Sequence, residues 1–144
     1  MASVTRDTEI GQRFSGKKKE IAWERLWAFS GGPFAKEGWP RKNLHTDLEF
    51  AKACGLPSVG ASGTQYQGHV CELFLDLFGE TWLRTGTLTA KFIALVDVND
   101  VLQSKAVVTA KEVTDSQVQF TFDIWCENQQ GAKVLVGSAT GLLP

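Results

Sequence analysis

The period of the hydrophobic pattern changes once along this chain, at Gly86, and that change narrows the folds open to it. Before it, Tyr66, Val70, Leu73, Phe74 and Leu77 recur at the spacing of one helical face, and Gly79 ends the run. After it the period is two. The even positions from Leu102 to Ala110 are mostly apolar, and Val118, Phe120, Phe122, Ile124 and Cys126 alternate with Gln119, Thr121, Asp123 and Glu127. A long helix at 64–78 therefore precedes half-buried antiparallel strands near 86–96, 101–113, 117–127 and 132–141. Thr114-Asp115-Ser116 and Asn128-Gln129-Gln130-Gly131 carry turn chemistry between them, which predicts that the strands form a meander. Gly68 costs the helix about 1 kcal/mol against alanine, so another element is expected to pack against its backbone.

Upstream the signals are shorter. Trp23, Leu26 and Trp27 predict a helix at about 22–29 that stops at Gly31-Gly32. Thr46-Asp47-Leu48-Glu49 reads as a capping box, with Thr46 and Glu49 satisfying each other's amides and the helix ending at Gly55. Between these lies Pro33 to Leu44, with two prolines and no sustained period; its part from Lys36 to Asn43 is expected to form a flap over a pocket mouth. The stretch up to Glu20, with Lys17-Lys18-Lys19, reads as a solvated edge. At 144 residues and without internal repeats, a single domain over 1–144 is expected.

Composition removes several function classes. Fifteen Lys and Arg against 16 Asp and Glu leave a net charge of -1, so nothing drives the chain toward nucleic acid. The longest uninterrupted apolar run, Phe92 to Val96, is far short of the ~20 residues a membrane helix needs, and no apolar leader precedes Gly11. No membrane association and a mature cytoplasmic chain are the expectations. Cys54, Cys71 and Cys126 fall inside apolar stretches and are expected to be buried free thiols. His45 and His69 are the only histidines and stand in no metal-ligand spacing, so no metal is expected. His69 borders the apolar helix face, where packing is the plainer role.

One helix wrapped by a long antiparallel sheet describes an α+β hotdog fold, and the residues raise a closer likeness. Asn43-Leu44-His45-Thr46-Asp47-Leu48-Glu49-Phe50-Ala51, Gly55-Leu56-Pro57 leading to Ala61-Ser62-Gly63, and Leu77-Phe78-Gly79-Glu80-Thr81-Trp82-Leu83 follow one another in order. Gly86-Thr87-Leu88 with Lys91-Phe92, and Asn128-Gln129-Gln130-Gly131 to Gly137-Ser138-Ala139, complete the series. From about residue 20 to its end the chain resembles the MaoC-like, R-specific enoyl-CoA hydratases.

The resemblance implies addition of water across the 2,3 double bond of an acyl thioester, by an Asp and a His in a motif close to Asp-x-Asn-Pro-Ile-His. It places His45 at the histidine, and Ser62 and Gly63 at the turn opening the central helix, where the Gly63 amide would polarise the thioester carbonyl. Five residues before His45 stands Pro40; if Ser30-Gly31-Gly32 is aligned with the family's Ser-Gly-Asp instead, Gly32 takes the acid's place. Either way the motif's carboxylate is missing. Glu37 is a candidate substitute, against the plainer reading of a solvated loop carboxylate, and Asp47 is read as structural, in the first turn of its helix. Ser62 has no His-Asp companion and reads as a helix cap. Lys91 and Arg84 are candidates for the phosphates of coenzyme A, which enters only as part of the substrate, with no other cofactor. Three readings stay open: a hydratase or dehydratase on an enoyl-CoA or 3-hydroxyacyl-CoA; a noncatalytic acyl-CoA-binding chain or partner subunit of a hotdog heterodimer; and an acyl-CoA thioesterase, for which Glu72 and Asp76 lie on the central helix but fall off its apolar face and read as solvated. A homodimer or larger hotdog assembly with continuous sheets is expected, because a single sheet leaves an edge strand open.

Overall fold

The computed structural model describes residues 3–32 and 42–144. In chain order these form β1 (Arg13–Glu20), α1 (Trp23–Phe29), α2 (Leu48–Ala53), α3 (Gly63–Phe78), α4 (Trp82–Thr85), β2 (Thr87–Phe92), β3 (Val101–Val113), β4 (Val118–Glu127) and β5 (Lys133–Leu143). All strand pairs are antiparallel, in one sheet of order β1-β3-β4-β5-β2.

The core sits between α3 and the sheet. Tyr66, Val70, Leu73, Phe74, Leu77 and Phe78 are the buried side of α3. They meet the inward-facing Val118, Phe120, Phe122, Ile124 and Cys126 of β4, with Leu102, Ala106 and Val108 of β3 beside them. Phe122 meets Phe74 edge-on, with centroids 5.1 Å apart, and packs likewise on Phe78 at 5.8 Å. A register irregularity between Val108 and Ala110 lets β3 bend, the curvature a sheet needs to wrap a helix. Trp82 of α4 closes one end and donates its indole N–H to the Thr140 carbonyl at 2.9 Å.

Several expectations need correction. The N-terminal stretch is not merely a solvated edge. Arg13–Glu20 is a strand paired with β3, and Lys17 and Lys19 reach Glu72 of α3. The meander is confined to β3, β4 and β5. β2 pairs with β5 at the far edge, because a connection from Phe92 to Val101 crosses the end of the sheet instead of turning back on itself. Nothing lies within 4 Å of a Cβ built on Gly68, so no described element of this chain packs against it. Cys54 is exposed and Cys71 half-buried; Cys126 alone is a fully buried thiol. No helix among the described residues is long and apolar enough to cross a membrane.

Candidate functional site

His45 is placed by a short-range device. Asn43 accepts the His45 amide on its side-chain oxygen at 2.9 Å and accepts the Thr46 and Asp47 amides, each at 3.0 Å, on its main-chain carbonyl. This is the local turn that asparagine favours over regular structure. The Asn43 side chain donates from Nδ2 to the Ser30 carbonyl at 3.1 Å, which ties the turn to the end of α1. The capping expectation shifts by one residue. Asp47 is the N-cap of α2, accepting the Phe50 amide at 2.9 Å, while the Thr46 hydroxyl accepts the Asn43 amide. The Phe50 amide and the Lys42 ammonium, 3.1 Å away, hold the Asp47 carboxyl below the usual carboxylate range. Asp47 is therefore engaged in capping and stays structural.

The His45 ring is half-buried, and its Nδ1 lies 2.7 Å from the carbonyl oxygen of Gly60. A carbonyl only accepts, so Nδ1 carries a proton, and in the neutral imidazole the lone pair is then on Nε2. Gly60 stands three residues before α3 begins. The side chain of Ser62, the N-cap residue there, makes no capping bond; its hydroxyl meets that of Thr64 at 2.9 Å. Among the described residues the amides of Gly63 and Thr64 have no acceptor, as the first turn of a helix leaves them. The helix dipole adds positive potential at that point.

Gly63 lies close under the Phe92 ring. A Cβ there would stand 2.9 Å from the Phe92 ring, which lies against the start of α3 and meets Tyr66 edge-on at 5.3 Å. Burial raises the Tyr66 phenol above its ordinary range, so it remains protonated near neutrality. Beside this arrangement opens an apolar groove of about 670 Å³, lined by Trp23, Leu48, Pro57, Ser58, Val59, Asp97 and Val98. Two of its walls belong to the segments that hold His45.

The structure thus brings His45, Ser62 and Gly63 to one end of α3. Arg84 does not join them: it sits on α4, past the other end of a 16-residue helix about 24 Å long. Lys91 does not either. Leu88 and Ala90 pack on the core and Phe92 meets Tyr66, so strand alternation turns Lys91 to the opposite face of the sheet. Glu37 and Pro40, and with them all but Lys42 and Asn43 of the segment from Lys36 to Asn43 expected to form a flap, lie outside the described residues. Glu72, read from the sequence as a solvated carboxylate off the apolar face of the helix, is paired with Lys19 and Lys17, and the Lys19 ammonium keeps it below the usual carboxylate range. No cluster of three metal-ligating side chains occurs among the described residues. Gly60 and Phe92 escaped the sequence because both act through tertiary contacts; the Asn43 turn was visible in principle, two residues ahead of the histidine.

Comparison with solved structures returns the same fold. A MaoC-like dehydratase from Rhodospirillum rubrum superposes with a TM-score of 0.75 at 18% identity, covering 95% of this chain and 93% of that one. An (R)-hydratase from A. caviae involved in PHA biosynthesis gives a TM-score of 0.67 at 22% identity, covering 97% and 100%. A (3R)-hydroxyacyl-ACP dehydratase complex from Mycobacterium tuberculosis gives 0.65 at 14%, covering 96% and 100%. No curated protein matches the chain in sequence. The family model described as MaoC like domain matches residues 34–125. That span holds His45, the Gly60 carbonyl and the start of α3, so the family match and the site coincide, and the chain belongs to the MaoC-like domain family.

Proposed function

We propose that this chain is a hydratase or dehydratase acting on an enoyl-CoA or 3-hydroxyacyl-CoA thioester, with His45 as its proton-transfer group. One observation carries the reading: the 2.7 Å bond from His45 Nδ1 to the Gly60 carbonyl leaves a basic Nε2 near a helix start whose Gly63 amide has no acceptor among the described residues. In the hydration direction Nε2 takes a proton from water as the oxygen bonds to C3 of the enoyl group. The Gly63 amide donates to the thioester oxygen, which gains negative charge as C2 becomes nucleophilic. His45 Nε2–H then returns that proton to C2, which consumes the 2,3 double bond and regenerates the neutral imidazole. In the dehydration direction the same groups act in reverse. The A. caviae hydratase and the M. tuberculosis dehydratase, both of this fold, support the class of reaction.

The absence of a carboxylate at Pro40 and Gly32 favours a second reading, a noncatalytic partner chain that binds the thioester. The pairing of Glu72 with two lysines weighs against the thioesterase. The test is to mix the purified chain with crotonyl-CoA, following the absorbance of the conjugated thioester and free thiol in parallel. Loss of conjugation without thiol release, abolished in His45→Ala, is the expected result. Undiminished turnover in His45→Ala refutes the mechanism; tight binding without turnover selects the partner chain, and thiol release selects the thioesterase.

The assembly belongs to the same proposal. Among the described residues β2 is regular and pairs on one side only, whereas the other edge strand, β1, carries Lys17-Lys18-Lys19 and a register irregularity between Ser15 and Lys18. Lysines and bulges are how proteins protect an edge from pairing. A second copy, or a related chain, therefore adds along β2, and light scattering is expected to show a dimer or a multiple of one at micromolar concentration.

A further inference from the structure

The carbonyl that orients His45 is itself held by side chains distant in sequence. Gly60 forms an isolated antiparallel bridge with Asp97, and the Ala61 amide donates to the Val96 carbonyl at 2.8 Å. A pairing this short has no neighbouring ladder to support it. Hydrogen bonds from outside the pair supply that support. The Ser58 hydroxyl donates to the Asp97 carboxylate, a charge-assisted bond. The Asp97 amide donates to Asp100 Oδ2 at 3.0 Å, and Gln129 Nε2 donates to Asp100 Oδ1 at 2.9 Å. The Asn99 amide donates to the Ile21 carbonyl at 2.9 Å, and the Ile21 amide donates to the Asp100 carbonyl at 2.8 Å. Asn99 turns the chain at φ 70°, a left-handed conformation that asparagine tolerates. The turn from Asp97 to Asp100 is thus anchored at the end of β1 and at the turn after β4, and through Asp97 it holds the segment from Ser58 to Gly60.

We propose that Asp97 is a positioning residue for His45: through Ser58 and the bridge to Gly60 it keeps the Gly60 carbonyl on His45 Nδ1 and so holds the imidazole in its Nδ1–H tautomer. The catalytic consequence rests on the reading of His45 as the proton-transfer group; the tautomer itself does not.

The test is the ¹H–¹⁵N imidazole spectrum of the full chain at neutral pH, with His45 distinguished from His69 by a His69→Gln variant, and crotonyl-CoA kinetics alongside. Wild type is expected to show His45 as the Nδ1–H tautomer. In Asp97→Ala and in Ser58→Ala the Nε2–H tautomer gains population, and kcat falls by about three- to tenfold at nearly constant KM, the factor a single lost hydrogen bond commands. Asp97→Asn keeps an acceptor for Ser58 and restores both readouts. The double alanine variant loses little more than either single one, because both cut the same link. An unchanged His45 tautomer in Ser58→Ala and in a folded Asp97→Ala overturns the proposal, as does an Nε2–H tautomer in wild type. If Asp97→Ala fails to fold, Ser58→Ala decides alone. If wild type turns over no thioester, the functional reading falls while the spectra still decide the role of Asp97.

Discussion

Replacing Gly137 by alanine tests the packing that holds β2, and with it the Phe92 ring over the start of α3. Gly137 pairs with Ala90 across the β2–β5 ladder. A Cβ at this position would be driven into the carbonyl oxygen of Thr89, with the Thr89 carbonyl carbon at 2.9 Å and Ala90 Cα at 3.1 Å. All three are backbone atoms, so no side chain can swing aside, and β2 must move away from β5. Moving it clear breaks the two ladder bonds nearest Ala90, at about 0.5–1.5 kcal/mol each. It also exposes more of Leu88, which packs against the core, for about 1 kcal/mol further. The expected loss is about 2–4 kcal/mol, a large share of the 5–15 kcal/mol typical of a domain. Urea unfolding at fixed protein concentration measures it, since the midpoint of an oligomer moves with concentration. Hydrogen exchange should show faster opening of Thr87–Phe92 while β3 and β4 stay protected. Gly68→Ala is the control: nothing lies within 4 Å of the new Cβ, so the variant is expected to gain about 0.5–1 kcal/mol from helix propensity. A Gly137→Ala chain within 0.5 kcal/mol of wild type, with β2 still protected, would falsify the reasoning.

Two further outcomes follow from buried titratable groups. Burial pushes the Cys126 thiol up to about 11 and raises Cys71 as well, whereas Cys54 is exposed; a thiol reagent at pH 8 should label Cys54 first, and fast labelling of Cys126 in the native chain would contradict its burial. Burial, aided by Lys19, depresses His69 below its ordinary 6.5, so above that pH both folded and unfolded forms are neutral, and as pH falls through 6.5 the unfolded chain takes up the proton first. Stability is therefore lost from about pH 6.5 down to the folded value, and His69→Gln should flatten that part of the urea-midpoint profile; an equal slope in the variant assigns it elsewhere.

What sequence alone made legible is what local chemistry controls. The 3.6-residue period of Tyr66, Val70, Leu73, Phe74 and Leu77 and the two-residue period of Val118 to Cys126 are properties of neighbouring residues, and α3 and β4 lie where they predict. The order of motifs also led to His45 and to Ser62-Gly63, which the structure brings to one end of α3. Local signals were less exact at the caps: Asp47 competes successfully with Thr46 for the α2 amides, and only main-chain geometry separates two such oxygens one residue apart.

Long-range register decided the rest. Arg13–Glu20 is rich in lysine and has no internal reason to be extended; it becomes a strand because β3 offers an edge and Glu72 offers a charge. The partner of β2 is β5 instead of β3, which no run of neighbouring residues encodes. Lys91 belongs to a family-like stretch of sequence and Arg84 follows one, yet strand alternation and the length of α3 carry them away from His45. The tautomer of His45 depends on a carbonyl 15 residues away, held in turn by Asp97, 37 residues beyond that. Sequence by itself located α3, β3, β4 and β5 and pointed to His45 as the candidate group, because propensity and periodicity act over a few residues. The tertiary structure alone decided which groups meet, because a contact between distant positions depends on how the whole chain packs.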